Sequence, residues 1–214
     1  MIKFSTFEGL QDTTPTRWAL PFDELAGFVT GIHQRLEHES VFDGNEIFTG
    51  QYREHQDIKD HAPLWSPATF RYAGKRCEAD VVSMSCVVYD CDKLPFGSSR
   101  KLHERLLEAN LQHMIVGTWS DSKTTDSFHC VIPLDWEHPI NEKTHNGYSQ
   151  AKKAVAERFG IDYDLRAGGL SRAYFLPPIW GHYHAHTDPD ARRIDLSAEN
   201  AAPTSQQMVE GESQ

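Results

Sequence analysis

The sequence predicts an α+β fold on two observations. Four apolar, strand-like segments and two amphipathic helices follow one another between residues 80 and 176, in the order strand, helix, strand, strand, helix, strand. The composition, with 39% hydrophobic and 24% charged residues among 214, is that of a chain able to bury a core. At this length we expect one large domain, or one core with an extra lobe.

The first 79 residues are expected to form a smaller N-terminal α/β lobe. Residues 1 to about 20 predict irregular chain, and Pro21 then begins a helix at a position where its missing N–H costs no hydrogen bond. Residues 41–80 mix short strand-like pieces with loops, and residues 59–67, with two prolines and a tryptophan, predict a shaped loop. The helix carries one apolar stripe at steps of three and four: Phe22, Leu25, Val29, Ile32 and Leu36.

The predicted core begins with an apolar strand over residues 80–89, which ends at Asp90-Cys91-Asp92. After a turn, Ser98 or Ser99 is expected to cap a helix. Residues 114–119 and 127–134 predict two further strands. The inner face of the helix is expected to consist of Leu102, Leu106 and Ala109.

A second core helix is expected to begin after Thr144 and to end at Gly160, and residues 171–176 predict the last strand. Its inward residues are predicted to be Tyr148, Ala151, Val155 and Phe159. This order of elements matches a ferredoxin-like or RNA-recognition-type α+β sandwich. Residues 197–214 are small, polar and acidic, which predicts a flexible tail after a domain that spans residues 1–196, with its lobe at about 1–79 and its core at about 80–196.

The bulk numbers exclude several classes of protein. A net charge of −10 argues against a strongly basic nucleic-acid-binding protein and predicts weak, salt-sensitive binding to DNA by this chain alone. The four cysteines form no C-x-x-C pair, so we expect no zinc among the cofactors. No apolar run approaches the roughly 20 residues of a membrane-spanning helix, and the N-terminus lacks the apolar segment of a signal peptide. We therefore expect a cytoplasmic protein with no membrane partner.

Asp90 and Asp92 stand two residues apart where the first core strand ends. Because side chains alternate along a strand, both carboxylates are expected on one face, with Cys91 turned the other way. Two like charges side by side repel each other, and Mg²⁺ or Mn²⁺ together with phosphate oxygens would relieve that repulsion. The alternative is a solvated strand end that leads into a turn, where aspartate is common.

Ser127 and His129 form a second motif, Ser127-Phe128-His129, at the start of the third core strand. The same alternation places the hydroxyl and the imidazole on one face. Both groups can donate hydrogen bonds to the phosphate oxygens of a nucleotide. The alternative is a strand-edge serine beside a histidine packed in the core.

The third motif is Ile161-Asp162-Tyr163-Asp164-Leu165, with Arg172 downstream. Taken in order, the three motifs resemble those of the archaeo-eukaryotic primase superfamily, in particular the compact primase–polymerases of phages and plasmids. That family's pattern is an apolar strand ending in D-x-D or D-x-E, then S-x-H, then an apolar residue with Asp and a later Arg. The resemblance spans roughly residues 60–180 and implies an RNA-recognition-motif-like catalytic core.

The resemblance also implies a role for each motif residue. Three carboxylates would hold two Mg²⁺ or Mn²⁺ ions: Asp90, Asp92 and Asp164, with Asp162 as the alternative third ligand. Three further side chains would bind the incoming dNTP or NTP: Ser127, His129 and Arg172. The implied activity is metal-dependent, template-directed nucleotidyl transfer by a DNA primase or polymerase in a bacterial or phage-infected cell. The implied partners are a single-stranded DNA template, a primer, and a helicase domain or protein.

Two other functions stay open from the sequence. Residues 181–186 place His182, His184 and His186 at alternate positions, on one face if the segment is a strand. This pattern resembles the H-x-H of rolling-circle nucleases and replication initiators, which cut single-stranded DNA with a tyrosine, although no tyrosine follows His186. A polar surface hairpin explains the same residues. The other function is a non-catalytic DNA-binding module of the same fold, against which the complete carboxylate set weighs.

Overall fold

The computed structural model describes residues 1–37, 62–177 and 182–201. Within these residues the strands are β1 Ile2–Phe7, β2 Thr16–Leu20, β3 Leu64–Ser66, β4 Ala68–Phe70, β5 Val81–Pro95, β6 His113–Gly117, β7 Thr125–Pro139, β8 Tyr174–Phe175 and β9 Tyr183–His186. The α-helices are α1 Phe22–Glu37, α2 Ser98–Glu108, α3 His145–Phe159 and α4 Leu196–Ala201. None of the described helices is long and apolar enough to cross a membrane.

A five-stranded antiparallel sheet in the order β4-β5-β7-β6-β9 forms the centre of the molecule. Its two longest strands, β5 and β7, pair side by side. Alternation sends Tyr89, Cys91, Phe128 and Cys130 to one face, where they are buried with the inward residues of α2 and α3. This face of the sheet is called the helix face below.

The opposite face of the sheet is covered by a second sheet and by α1. The second sheet is antiparallel, in the order β2-β1-β3-β8. The buried residues shared between these layers are Ile2, Phe4, Phe22, Leu25, Val29, Trp65, Val88, Met114, Val131 and Tyr174. This face of the sheet is called the lobe face. Two antiparallel sheets packed with α-helices confirm the predicted α+β class.

The N-terminal lobe contains strands where the sequence predicted loops. Residues 1–20, expected to be irregular, form the hairpin β1–β2, and part of the expected loop at residues 59–67 forms β3. The expectation was wrong because β2 is almost entirely exposed and β3 is only three residues long, so neither carries an apolar period. Their pairing with β1 makes them strands.

The last core strand also differs from the prediction. Residues 171–176 contribute only the two-residue β8, which pairs with β3 in the lobe rather than beside β5. The place beside β5 is taken by β4, from upstream. Tyr174 is held in the lobe because its ring packs at 6.0 Å from the ring of Trp65. Strands from both predicted lobes therefore lie in each sheet, and the boundary near residue 79 stays a prediction.

The core helices confirm most of the predicted inward residues. Leu102 and Leu106 of α2 are buried, as are Tyr148, Ala151, Val155 and Phe159 of α3. Gly160 ends α3 with φ +58, a left-handed conformation that glycine adopts without strain. In α1, Phe22, Leu25 and Val29 are buried, while the side chains of Ile32 and Leu36 lie outside the described set. Residues 197–201 of the expected tail belong to α4, and residues 202–214 lie outside the described part.

The N-terminus of α2 is capped from another strand, which corrects the expected Ser98 or Ser99 cap. Gly97 occupies the cap position with φ +85 and makes no side-chain bond. The carboxylate of Asp126 on β7 accepts hydrogen bonds from the backbone N–H of Gly97 at 3.2 Å and of Ser99 at 2.7 Å. At the second helix, Thr144 precedes α3 without a side-chain cap bond.

Candidate active site

Asp90 and His129 lie side by side on the lobe face. The two residues are paired partners of β5 and β7, and His129 Nε2 is 3.5 Å from Asp90 Oδ1. Each is near the end of the apolar part of its strand, so the pair faces the edge of the buried lobe core. The structure thus brings the first and second predicted motifs together in one cross-strand pair.

Arg172 joins this pair from a segment 82 residues later in the chain. Its Nη2 donates to Asp90 Oδ2 at 2.9 Å. Its guanidinium lies 5.9 Å from the centre of the Tyr174 ring, and the His129 ring meets the same tyrosine edge-on at 4.7 Å. The Arg172 backbone is fixed as well, because its carbonyl accepts a hydrogen bond from Ser66 Oγ. Tyr174 therefore packs against both side chains that contact Asp90.

The environment keeps Asp90 ionised. Burial of this side chain, which is 18% exposed, would raise its pKa. The hydrogen bond and charge of His129 and the charge and hydrogen bond of Arg172 outweigh burial, so the pKa of Asp90 lies below its usual value. Both carboxylate oxygens thus face positive or hydrogen-donating groups.

Asp92 lies at a β-bulge. Cys91 pairs with Phe128 and Leu94 with Asp126, so Asp92 and Lys93 together oppose the single residue Ser127. Lys93 adopts φ +55, and its backbone N–H donates to Ser127 Oγ at 3.0 Å. Asp92 is exposed, whereas Ser127 is fully buried. The regular alternation expected from the sequence is therefore interrupted just after Asp92.

The third motif meets the first through its backbone. The N–H of Asp164 donates to the carbonyl oxygen of Asp90 at 2.8 Å. The Asp164 side chain accepts from the N–H of Arg166 and caps a short 3₁₀ helix over Leu165–Ala167. Asp162 is also exposed, and it lines a cavity with Lys101 and Arg105 of α2, on the helix face.

Among the described residues, one group of three places its possible metal-ligand atoms (a carboxylate oxygen, a cysteine sulfur or a histidine nitrogen) within 4.8 Å of one another. The group is Asp121, Asp126 and His182. Asp90, Asp92 and Asp164 are not gathered to that distance. The Asp121–Asp126–His182 group could hold a metal ion. Its carboxylates already accept backbone hydrogen bonds, Asp126 at the cap of α2 and Asp121 from Ser127 N at 3.1 Å and His182 N at 2.8 Å.

The sequence analysis missed Asp121 and Lys152. Asp121 links Ser127 to His182, whose Nδ1 lies 2.7 Å from Asp121 Oδ2. Lys152 is buried on α3 with its ammonium 5.5 Å from the ring centres of both Tyr89 and Tyr163. Burial and the Arg172 charge lower the pKa of Lys152 to about 8, against the opposing charge of Asp90. A lysine in the apolar stripe of α3 was the available signal for this residue.

The three histidines of residues 181–186 have separate environments. His182 is bound to Asp121, His184 stacks on His103 at 5.1 Å, and His186 Nε2 lies 3.1 Å from Asn110 Oδ1. His184 and His186 belong to β9, which pairs with β6 at the edge of the central sheet, so the segment is not a surface hairpin. No part of this arrangement favours an H-x-H nuclease.

Comparison with known proteins found one likeness among solved structures, to the AEP domain of the primase–polymerase of cyanophage S-2L. The likeness covers 92% of this chain and 85% of that chain, with a TM-score of 0.45 and 9% sequence identity. No protein-family model matches the chain, and no curated protein matches it.

Proposed function

We propose that the protein is a metal-dependent, template-directed nucleotidyltransferase, a DNA primase or polymerase of phage or plasmid replication. One observation carries this proposal: Asp90, His129 and Arg172, predicted from three separate motifs, meet within hydrogen-bonding or ion-pairing distance on one face of the central sheet. A solvated strand end at Asp90, the alternative explanation, would not need an arginine and a histidine from distant segments as partners.

The donor set suits a hard divalent cation. Asp90 is ionised, Asp92 is exposed two residues away at the bulge, and the backbone N–H of Asp164 is bound to the Asp90 carbonyl. The three carboxylates do not converge within 4.8 Å in this structure, so binding an ion would require Asp90 to exchange its contacts with Arg172 and His129 for the cation. These three carboxylates would hold Mg²⁺ or Mn²⁺, which prefer oxygen ligands. The tether to Asp90 favours Asp164 over Asp162 as the third ligand. When bound, two such ions would lower the pKa of a primer 3′-hydroxyl and balance the charge of the leaving pyrophosphate.

Arg172 and His129 would bind the triphosphate of the incoming nucleotide. Arg172 is 41% exposed, so its guanidinium can turn from Asp90 towards a phosphate. A guanidinium can bind a phosphate through two parallel hydrogen bonds, which is a stronger contact than its single hydrogen bond to Asp90. His129 would donate from Nε2, the nitrogen that now faces Asp90. These two groups place positive charge where negative charge develops during transfer, which is the largest contribution that a fixed site makes.

Ser127 has a different role in this proposal from the one that the resemblance implied. Its oxygen accepts the hydrogen bond of Lys93 N, and its side chain is fully buried. This geometry favours a positioning residue, which fixes the bulge that presents Asp92, over a direct contact to nucleotide. The Asp121 carboxylate holds the Ser127 backbone from the other side.

The proposed substrates are a single-stranded DNA template, a primer, and dNTPs or NTPs. The net charge of −10 opposes the approach of template phosphates, so binding by this chain alone is expected to be weak and salt-sensitive. A helicase domain or protein that holds the template would supply the missing affinity.

The test is incorporation of labelled nucleotides on a single-stranded template with Mg²⁺ or Mn²⁺, with and without a primer. Asp90→Ala and Asp92→Ala are expected to abolish the product, and Asp190→Ala, an exposed aspartate in the loop after β9, should retain it. Circular dichroism verifies that each variant is folded. Product in the unprimed lanes would identify a primase. A folded wild-type protein without metal-dependent product, or an Asp90→Ala variant as active as wild type, would overturn the proposal.

A further inference from the structure

Four histidines from three elements meet on the helix face of the central sheet. His113 on β6 pairs across the ladder with His186 on β9, and His184 lies two residues before His186 on the same face. α2 covers this edge and contributes His103. Asp90 and His129 lie on the opposite face, so this histidine cluster (His103, His113, His184 and His186) is separate from the proposed active site.

Hydrogen bonding determines which ring nitrogens carry lone pairs. His113 Nδ1 lies 2.7 Å from the carbonyl oxygen of Leu111, which can only accept, so His113 carries its proton on Nδ1. In the neutral ring Nε2 then has a free lone pair, and it lies 2.8 Å from His103 Nδ1. A histidine whose Nδ1–H is fixed by a backbone carbonyl, with Nε2 directed at other imidazoles, has the orientation typical of a metal ligand.

A third imidazole adds an unused nitrogen. His184 Nε2 is buried and has no hydrogen-bond partner. The ring of His184 stacks on that of His103 with centres 5.1 Å apart and planes 20° apart, while the rings of His103 and His113 are 5.0 Å apart. A buried polar nitrogen without a partner costs free energy, which a ligand at this position would recover.

Burial disfavours the charged form of His103, His113 and His184. Burial lowers the pKa of His113 to about 4, with the neighbouring histidines acting in the same direction. Burial likewise lowers the pKa of His103 and of His184. The nearest acid on α2, Glu104, is exposed and opposes the shift at His103 without reversing it.

We propose that His103, His113 and His184 bind a borderline divalent transition cation of the Zn²⁺ class. Imidazole nitrogens suit Zn²⁺, Ni²⁺ or Cu²⁺ and not the hard Mg²⁺ of the proposed active site. Two nitrogens on one tetrahedral Zn²⁺ stand about 3.3 Å apart, given Zn–N distances of about 2.0–2.1 Å. In this structure the nitrogens of the three rings are not gathered within 4.8 Å of one another. To bind the ion, the His103–His113 pair has to open by about 0.5 Å from its 2.8 Å contact, and His184 has to turn its Nε2 towards the pair. The proton on His103 Nδ1 moves to Nε2 of the same ring.

The ion would tie three elements together. β9 is the edge strand of the central sheet, and in the described residues it is joined to the sheet by β6 alone. A cation shared by α2, β6 and β9 would fix this edge, which is a structural role. The site is of a different kind from the cysteine-based zinc sites that the sequence excludes, since all its ligands are imidazoles.

The test is a Zn²⁺ titration of the full chain against a chromophoric chelator, with the visible absorption of a Co²⁺-loaded sample as a second readout. Wild type is expected to bind one equivalent more than the cluster variants below and to give the absorption of tetrahedral Co²⁺. His103→Gln and His184→Gln, both at partly exposed positions, should weaken Zn²⁺ binding at least about tenfold and remove that absorption. His145→Gln, at the first residue of α3, is the matched control and should bind as wild type does.

Three results would overturn the proposal. They are the absence of Zn²⁺ binding to folded wild-type protein, equal affinity of wild type and both cluster variants, and a loss in His145→Gln as large as in His103→Gln. Near-ultraviolet circular dichroism of each variant distinguishes loss of a ligand from loss of the fold. Because the readout is the difference between wild type and the two cluster variants, metal held by Asp90, Asp92 and Asp164 contributes equally to both, and the outcome is independent of the proposed function.

Discussion

The two faces of the central sheet treat buried polar groups in opposite ways. On the lobe face, Asp90 stays ionised because Arg172 and His129 lie against it. On the helix face, burial and the neighbouring histidines lower the pKa values of His113 and His103, and the Leu111 carbonyl and the exposed Glu104 do not reverse the shift. Burial alone disfavours charge at both places, and the nature of the neighbours decides the result. A charged cluster suits phosphates and hard cations, whereas a neutral imidazole cluster suits a transition cation.

The largest effect expected on this comparison concerns Arg172. Arg172→Ala should lower nucleotide incorporation about 100- to 1000-fold, or about 2.7–4 kcal/mol, since it removes a cation aimed at the transition state. Single-turnover incorporation with Mn²⁺ measures the effect. Arg166→Ala, in the neighbouring 3₁₀ helix and exposed, is the matched control and should leave the rate unchanged. Equal rates in both variants would remove Arg172 from the active site.

The next effect concerns the N-terminal cap of α2, the helix that packs on the helix face. Asp126→Ala should lower the free energy of unfolding by about 2–4 kcal/mol, because it removes the cap of α2 and leaves the N–H groups of Gly97 and Ser99 without an acceptor. Urea unfolding measures it. Asp126→Asn keeps one side-chain oxygen as an acceptor and should lose less. If alanine and asparagine lose the same amount, the capping bonds are not the cause.

The third effect tests the free-energy cost of burying the ammonium group of Lys152 on α3. Lys152→Met should raise the free energy of unfolding at pH 7 by about 1–3 kcal/mol, since the pKa of Lys152 falls from about 10.5 in the unfolded chain to about 8 in the fold. Between these values the unfolded chain binds the proton and the folded chain does not, so wild-type stability rises with pH.

The gain from methionine should therefore shrink between about pH 8 and pH 10.5. Urea unfolding of both proteins across this range is the measurement. A gain that stays constant up to pH 10.5 would show that packing, and not the ammonium, sets the difference.

The smallest effect is expected for an exposed ion pair which, like Asp90–Arg172, joins an acidic to a basic side chain. Lys3 Nζ lies 2.5 Å from Glu137 Oε2, with side chains 51% and 31% exposed. Lys3→Ala should lower the free energy of unfolding by about 0.2–1 kcal/mol, and less at high salt. Unfolding at two ionic strengths measures this. A loss in the free energy of unfolding above about 2 kcal/mol would mean that the exposure of Lys3 and Glu137 does not make their ion pair weak.

Local patterns were sufficient for much of the fold. The stripe of α3 and its stop at Gly160, the apolar strands within β5 and β7, and the face that Asp90 and His129 each occupy on its own strand follow from helical and strand periods. Those periods are properties of neighbouring residues. These periods could not predict the hairpin β1–β2, nor that β4 takes the place beside β5 in the central sheet instead of the last predicted strand. Short or exposed strands carry no apolar period of their own.

The sequence by itself determined which chemical groups stand at the strand ends and which face of its strand each occupies. Only the tertiary structure decided how those groups meet: the Arg172 contact to Asp90, the bulge that separates Asp92 from regular alternation, the Asp126 cap, and the histidine cluster. The physical reason is that alternation is set by each residue's own backbone. Partners across a sheet depend instead on the pairing and register of segments far apart in the chain.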